Sequence, residues 1–271
     1  MGQANAEVGR EGMSETILMI HGMWAEPWVW ENYKRFFEKE GYHCVTPTLR
    51  YHDMDPKGSP DPRLGTTSLA DYADDLEREI RELRVKPIVM GHSMGGLLAQ
   101  VLGGRGLAKA LVLLTPASPA GIMAMTPSVI RSFLSVLTKW GFWKNPVRQT
   151  FNEAKYSILN LLPPDQQEEA YSRFVYESGR AAAELGFWFL DSKGASKIDG
   201  SKVTCPVLIV AGAKDRITPA SVVRKVAKKY HAVSTYKEFE NHAHWVVAEA
   251  GWQEIAGYAA VWLKQVSGKN T

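Results

Sequence analysis

The most informative segment of this 271-residue chain is a serine placed between two glycines. The run Gly91-His92-Ser93-Met94-Gly95 has the pattern Gly-x-Ser-x-Gly; it follows the apolar run 88–90 and precedes a helix-like stretch. A nucleophile at a sharp strand-to-helix turn needs small residues two before and two after it, because a Cβ there would collide with the neighbouring strand or helix. The spacing therefore predicts Ser93 as a nucleophile. The alternative is an ordinary helix N-cap, a position that serine favours.

A serine hydroxyl becomes a good nucleophile only when a neighbouring base removes its proton, and the C-terminal part of the chain offers candidates. Asp215 follows the strand-like run 206–211, and His242 and His244 follow the strand-like run 234–239. Histidine is the usual base, and a carboxylate orients it. From the residues alone, Asp215 could instead cap a helix, and either histidine could be the base. The two histidines lack a third ligand at suitable spacing, so neither a metal nor a cofactor is expected.

Four segments of the chain resemble the α/β-hydrolase family, and the resemblance extends over nearly all of the sequence. In the order expected for that family they are Ile20-His21-Gly22-Met23-Trp24, the turn at Ser93, the run 210–219 that contains Asp215, and Asn241-His242-Ala243-His244-Trp245. The family's chain order is Ser, Asp, His. The resemblance implies that Ser93 is the nucleophile, Asp215 the orienting acid, and His244 rather than His242 the base.

The resemblance also implies an oxyanion hole. Its donors would be the backbone amides of Met23 and Met94, and the helix after Ser93 would direct the positive end of its dipole to the same place. His21 is expected to shape the loop that carries Met23. The side chain of His92 is expected to point away from the nucleophile, where it packs or makes a supporting hydrogen bond.

Short apolar runs alternate with longer amphipathic segments, which is typical of strands and helices around a parallel sheet. Six runs are predicted as parallel strands, because near-continuous apolar runs are expected for strands covered on both faces; they are 16–20, 42–46, 86–90, 110–115, 206–211 and 234–239. Helices are predicted at 28–40, 69–83, 95–103, 221–230 and 254–266. The predicted fold class is α/β: a mostly parallel sheet of about six strands, flanked by helices, with an inserted helical cap.

The alternation stops between residues 118 and 200, where the sequence predicts several helices and no clear strand. We expect a helical cap over one end of the sheet, which divides the chain into a core (1–117), a cap or lid (118–200) and the remainder of the core (201–271). The cap is rich in large aromatic residues, and an inserted cap has only a small core of its own. Tryptophans are therefore predicted to bind an apolar substrate beside Ser93: Trp24, Trp140, Trp143 and Trp188.

Composition excludes several other classes of protein. Hydrophobic residues make up 45% of the chain and charged residues 23%, which is typical of a globular protein, and the net charge of +3 includes no basic stripe that would indicate nucleic acid. Cys44 and Cys205 are expected to be free thiols, although the sequence leaves a disulfide open. No secretory signal is visible in residues 1–14, and no run of about 18 apolar residues would give stable membrane insertion. A cytoplasmic protein with mobile tails is expected; it could be a homo-oligomer.

The reaction predicted first is hydrolysis of a carboxylic ester of a hydrophobic small molecule through an acyl-enzyme. Because one fold serves several chemistries, thioester, lactone, amide and carbon–carbon bond hydrolysis stay open. Two further hypotheses belong to other classes. One is a cofactor-free, haloperoxidase-like oxidoreductase in which the serine site forms a peracid. The other is a ligand-binding receptor with slow turnover.

Overall fold

The structure is a computed structural model that describes residues 14–268, so the predictions about a secretory signal and mobile tails lie almost wholly outside the described residues. Six of its strands form one sheet in which every pairing is parallel. The strands of this part of the chain are β1 (Thr16–Ile20), β2 (His43–Val45), β3 (Ile88–His92), β4 (Ala110–Leu114), β5 (Pro146–Val147), β6 (Glu177–Ser178), β7 (Val207–Gly212) and β8 (Ser234–Phe239). The predicted fold class is confirmed.

The order of the sheet, β2-β1-β3-β4-β7-β8, places a topological switch between β1 and β3. After β1 the chain forms β2 on one side of β1 and then crosses over to form β3 on the opposite side of β1. In open parallel sheets the crevice at such a switch lies at the carboxyl ends of the strands and is the usual place for a ligand. Ile20 at the end of β1 is paired with Gly91, so the segments after β1 and after β3 start side by side.

Helices cover the sheet, and their apolar faces explain their positions. The helices of residues 14–268 are α1 (Glu31–Lys39), α2 (Leu69–Glu82), α3 (Met94–Gly104), α4 (Pro127–Ser132), α5 (Leu134–Leu137), α6 (Phe151–Ser157), α7 (Pro164–Ser172), α8 (Gly179–Gly186), α9 (Ala220–Lys229) and α10 (Trp252–Val266). In α2, Ser68 and Asp71 form a capping box at the N-terminus. Its apolar stripe then repeats at helical spacing and is buried against the core. None of the described helices is long and apolar enough to cross a membrane.

The segment 118–200, called here the inserted segment, lies between β4 and β7 and contains α4 to α8. It also contains an antiparallel pair of two-residue strands, β5 and β6, so the expectation that it has no strand is wrong in that detail. The pair was not visible in the sequence because two residues give no alternating pattern. The division of the chain at 117 and 200 stays a prediction.

Both cysteines are free thiols in the structure, which decides the alternative that the sequence left open. Cys44 is buried in β2, and Cys205 is half-buried just before β7.

Candidate active site

Ser93 occupies the sharp turn between β3 and α3, with φ 56° and ψ −120°. A positive φ is costly for a residue with a side chain, about 1–3 kcal/mol, and it persists only where the surroundings impose it. The amide of Ser93 donates to the carbonyl of Leu114 at 3.1 Å, and its own carbonyl accepts from the amides of Gly96 and Ala117, both at 2.9 Å. Three hydrogen bonds therefore fix the strained backbone of the predicted nucleophile.

The glycines on either side of Ser93 are required by close backbone contacts. A Cβ on Gly91 would lie 2.2 Å from the carbonyl oxygen of Gly95, and a Cβ on Gly95 would lie 2.1 Å from that of Ile20. Real Cβ atoms do not approach backbone oxygens so closely. The crowding that the sequence pattern predicts is thus present, and it brings the start of α3 against the end of β1.

Asp215 and His244 lie on loops that follow adjacent strands, β7 and β8. The two loops are packed together, because the amide of Lys214 donates to the carbonyl of His242 at 2.9 Å and a Cβ on Gly212 would lie 2.2 Å from the carbonyl oxygen of Ala243. The Nδ1 atom of His244 lies 2.8 Å from Oδ2 of Asp215. Both side chains are almost completely buried.

The carboxylate of Asp215 is fully engaged in hydrogen bonds. Its Oδ1 accepts from the amides of Ile217 and Thr218, both at 2.8 Å, and its Oδ2 accepts from the Thr218 hydroxyl at 2.7 Å. An ionised carboxylate is acceptor only, so it can accept from all of these donors at once. The hydrogen on His244 is then assigned to Nδ1, facing Asp215, which leaves the Nε2 lone pair available to act as a base.

Two other histidines near the site have supporting contacts. His92 turns away from the Ser93 hydroxyl, and its Nε2 donates to the backbone carbonyl of His244 at 2.8 Å. Burial, together with the neighbouring His244, lowers the pKa of His92 to about 3, so this ring is neutral at physiological pH. His242 faces Glu249 instead of Asp215, with Nδ1 at 2.8 Å from Oε1. Of the two candidate bases, the structure brings His244 to the acid.

The loop after β1 passes directly over Ser93. A Cβ on Gly22 would lie 2.8 Å from the Cβ of Ser93, so only glycine permits this approach. His21 fixes the loop, because its Nδ1 donates to the carbonyl of Gly22 at 3.0 Å and its Nε2 accepts from the amide of Leu49 at 3.2 Å. Burial, together with the nearby His52, lowers the pKa of His21 to about 3 and keeps it in this neutral form.

Met23 and Met94, whose amides are the predicted oxyanion donors, are both buried and both line the cavity next to Ser93. Trp24 follows Met23 with a positive φ of 61°. Its carbonyl accepts from the amide of Val175, and its indole Nε1 donates to the carbonyl of Val147 at 3.2 Å. The predicted oxyanion loop is therefore bonded to the inserted segment at two points.

Ser93 and His244 share one cavity, which lies between the carboxyl edge of the sheet and the inserted segment. Its walls contain no Asp, Glu, Lys or Arg among the described residues. They are predominantly apolar, and the large side chains among them are Met23, Trp24, Met94, Met125, Val129, Phe133, Val136, Leu137, Phe142, Ile158, Leu185, Phe187, Ile217, Val222 and Trp245. Such a cavity excludes charged groups, because their desolvation would be uncompensated there.

Three of the four tryptophans predicted to bind substrate lie outside this cavity. Trp24 lines the cavity, whereas Trp140, Trp143 and Trp188 do not. Trp140 is 92% exposed and packs edge-on against Trp143, and Trp188 packs edge-on against Phe189. Trp140 and Trp143 are exposed and Trp188 is half-buried, whereas other aromatic residues of the inserted segment, such as Phe142, lie at the cavity wall.

Comparison with known proteins shows which family the chain belongs to. Residues 17–257 match the profile of the alpha/beta hydrolase family, which is most of the chain. The chain belongs to the alpha/beta hydrolase family. At the level of the family, hydrolysis is therefore the class of reaction to expect. A search of curated proteins found no match.

Solved structures similar to this hydrolase-family chain include several esterases. A methylesterase from Arabidopsis has a TM-score of 0.70 at 14% identity, with 92% of this chain and 99% of that chain covered. A thermophilic esterase from Thermogutta terrifontis has a TM-score of 0.67 at 20% identity, with coverages of 94% and 91%. A pyrethroid hydrolase from Sphingobium faniae has a TM-score of 0.69 at 16% identity, with coverages of 92% and 97%. At these identities the likeness establishes the shared fold.

Sequence reasoning missed two residues that hold the site together. Thr218 donates its hydroxyl to Asp215 and lies 3.2 Å from Nδ1 of His244. Glu249 accepts at Oε1 from Nδ1 of His242 and, at 2.9 Å, from the amide of Ala243. The signal for Thr218 was its place three residues after the acid, where a hydroxyl can reach back to it. Glu249 gave no comparable signal, because an acid at the start of a helical stretch is ordinarily exposed.

Proposed function

We propose that this protein is a serine hydrolase that cleaves carboxylic esters of hydrophobic small molecules through an acyl-enzyme intermediate, without a cofactor. One observation supports the proposal most strongly. Ser93 and His244 line the same apolar cavity, while Asp215 lies 2.8 Å from the far side of the imidazole. A candidate nucleophile and a candidate base thus face the same cavity, and an acid bonded to the base could orient it.

The proposed reaction proceeds in two stages. The Ser93 hydroxyl attacks the ester carbonyl while Nε2 of His244 takes its proton, and Asp215 stabilises the resulting imidazolium. The amides of Met23 and Met94 would donate to the oxyanion, and loss of one such donor typically costs about 3–4 kcal/mol of transition-state stabilisation. His244 then protonates the departing alcohol. Water, activated by the same imidazole, hydrolyses the acyl-serine, releases the carboxylic acid and restores Ser93.

The nature of the cavity wall supports a neutral, apolar substrate. No Asp, Glu, Lys or Arg among the described residues faces the cavity, so an acyl or alcohol group with a net charge would lose its hydration without gaining an ion pair. Three methionines and five Phe or Trp side chains contribute to the wall, and methionine adapts to substrates of irregular shape. We therefore propose medium-chain or aromatic esters in preference to sugar or peptide substrates.

The test is a series of chromogenic esters of increasing acyl length, assayed with the wild type and with Ser93→Ala. We expect kcat/KM to rise with acyl length before solubility limits it, and Ser93→Ala to lose at least about 10³-fold of the activity. A serine-directed phosphonate should label the wild type at Ser93 and leave the variant unlabelled.

Two contrary results would replace the proposal. Peroxide-dependent halogenation that outruns ester turnover would indicate an oxidoreductase. Tight ligand binding that Ser93→Ala leaves unchanged, together with negligible turnover of every ester, would indicate a receptor. If lactones, thioesters, amides or diketones are turned over faster than every ester, the proposed catalytic residues stay the same and the proposed substrate bond changes.

A further inference from the structure

The inserted segment carries large apolar side chains on its outer surface. Trp140 is 92% exposed, Leu190 75% and Phe189 55%, and Trp143 is also exposed. Together these four residues are called the outer patch. Isolated exposed apolar residues are normal on a protein surface, whereas a group of aromatic and aliphatic side chains in contact indicates an interaction site.

Ring contacts show that the outer patch is continuous. Trp140 packs against Trp143 with ring centroids 5.3 Å apart, and Trp143 packs against Phe142 at 5.4 Å. Phe142 contacts Phe187 at 6.4 Å, and Phe187 contacts Phe189 at 6.3 Å. The two exposed ends of the patch are thus joined through Phe142 and Phe187.

Those two joining rings also line the cavity that contains Ser93. The apolar surface of the protein is therefore connected to the predicted catalytic cavity through a single layer of aromatic residues. The helices beside them show the same arrangement. In α4, Val129 lines the cavity and Ile130 is exposed, and around α5, Phe133 lines the cavity and Leu134 is exposed. The inserted segment is thin here, with apolar side chains on both of its faces.

The charges around the outer patch are predominantly positive. The stretch 118–152 contains four basic residues and no Asp or Glu. Lys139 and Lys144 adjoin the patch and are exposed, and Lys193 follows its other end. Asp191 also follows that end, but its two carboxylate oxygens accept from the amides of Lys193 and Ala195. An apolar surface with a basic rim is complementary to a surface that is apolar inside and anionic outside.

We propose that the outer patch docks this protein on the surface of a lipid bilayer that carries anionic headgroups. Tryptophan, phenylalanine and leucine would enter the boundary between headgroups and acyl chains, while the lysines would contact the headgroups. The attachment is peripheral. It presents the thin wall at Phe142 and Phe187 to the lipid, from which a hydrophobic ester can partition into the cavity. The docking itself does not rest on the proposed esterase function.

The experiment is sedimentation with vesicles, performed in the Ser93→Ala background so that no lipid is hydrolysed. Vesicles of phosphatidylcholine alone are compared with vesicles that also contain phosphatidylglycerol. We expect binding to the mixed vesicles that weakens as salt rises, because surface attraction of this kind is screened. Trp140→Asn combined with Leu190→Asn should weaken the binding about tenfold or more, and Lys139→Gln combined with Lys144→Gln should reduce both the binding and its dependence on salt.

The matched control is Val261→Asn on α10, where the side chain is 57% exposed and lies outside the patch. This control should bind as the parent does, and thermal unfolding should show that all variants are folded. The proposal is overturned if the parent does not sediment with mixed vesicles, or if all variants bind equally. Self-association that Trp140→Asn and Leu190→Asn abolish, without vesicle binding, would also overturn it and would assign the patch to a second copy of this chain.

Discussion

The Oδ2 atom of Asp215 lies 2.8 Å from Nδ1 of His244 and accepts a second hydrogen bond, at 2.7 Å, from the hydroxyl of Thr218. The Thr218 hydroxyl also approaches the carbonyl of Thr115 at 3.0 Å. One small side chain thus connects the acid, the imidazole and the end of β4. The arrangement fixes which tautomer the imidazole adopts, and that tautomer decides whether Nε2 can accept a proton from Ser93.

Asp215→Asn is expected to lower kcat by about 10³- to 10⁴-fold with little change in fold, since an amide can donate to Nδ1 and stabilise the wrong tautomer. The measurement is steady-state kinetics on the best ester of the chromogenic series, with circular dichroism to confirm folding. His242→Gln is the comparison, because His242 pairs with Glu249 and not with the acid. Equal losses in the two variants would contradict the assignment of His244 as the base.

Gly22→Ala is expected to lower kcat more than it lowers stability, because the added Cβ would lie 2.8 Å from the Cβ of Ser93 and displace the loop that carries Met23. We expect a loss of about 10²-fold in kcat, measured alongside the midpoint of thermal unfolding. Gly257→Ala in α10 is the control. No atom lies within 4 Å of a Cβ at that position, and alanine is the better helix former, so activity should be kept and stability should rise slightly. A fully active Gly22→Ala variant would remove the loop from the catalytic machinery.

Glu249→Leu is expected to lower kcat about tenfold or more, because it leaves the His242 Nδ1–H and the amide of Ala243 without their acceptor and so loosens the loop next to His244. Glu249→Gln retains one oxygen at the same place and should retain most of the activity. The check is a pH–rate profile as well as kcat, because displacement of His244 from Asp215 would change the pH dependence of the rate, whereas a purely structural role would not. If both variants have wild-type profiles, Glu249 does not position the base.

The buried pair of His52 and Glu177 predicts a pH-dependent stability. The Nδ1 of His52 lies 3.1 Å from the carbonyl of Arg50 and its Nε2 lies 3.1 Å from Oε2 of Glu177, so a cationic ring donates to both acceptors. Burial would lower the pKa of His52, but the charge and hydrogen bonds of Glu177 raise it above its usual value on balance. The stabilisation is complete below the unfolded-state pKa near 6.5 and is lost as pH rises through the folded-state pKa.

We therefore expect the free energy of unfolding of the wild type to fall as the pH is raised above about 6.5. Glu177→Gln should remove this pH dependence and lower the free energy of unfolding by about 3 kcal/mol or more at pH 6. Denaturant unfolding from pH 6 to 9 measures both effects. The neutral His21 and His92 affect the free energy of unfolding in a different pH range. Because burial lowers their folded-state pKa values to about 3, their stabilisation is lost only as pH falls below 6.5. A wild-type stability that stays level above pH 6.5, or an identical slope in the variant, would contradict this prediction.

Local patterns were sufficient to predict the six strands of the main sheet and the turn at Ser93, because apolar runs and small residues at fixed spacing are visible in short stretches of sequence. Gly91 is needed because the start of α3 lies against it, and Gly95 is needed because the end of β1 lies against it. Both requirements appear in the sequence as glycines at a fixed spacing from Ser93. The apolar runs also predict the strands of the sheet clearly, because a strand that is buried on both faces contains few polar residues.

Contacts between distant segments could not be predicted in the same way. His52 and Glu177 are 125 residues apart in the sequence, and no local pattern around either residue predicts that they form a buried pair. The direction of Trp140, just after α5, could not be predicted either, because α4 and α5 have only six and four residues and are too short for a periodic pattern to separate an inner face from an outer one. Aromatic content alone therefore indicated an apolar pocket without indicating which rings form it.

Trp24 has a mechanical consequence for how the cavity can open. Its indole is bonded to β5, its carbonyl to the amide of Val175, and the residue immediately before it in the chain is the predicted oxyanion donor Met23. Lifting the inserted segment away from the sheet must either break both bonds or pull this backbone with it. In the proposed reaction, release of the acid and alignment of the oxyanion donors would therefore depend on the same two hydrogen bonds. A state open enough to release a bulky acid would be one in which the next attack is poorly supported.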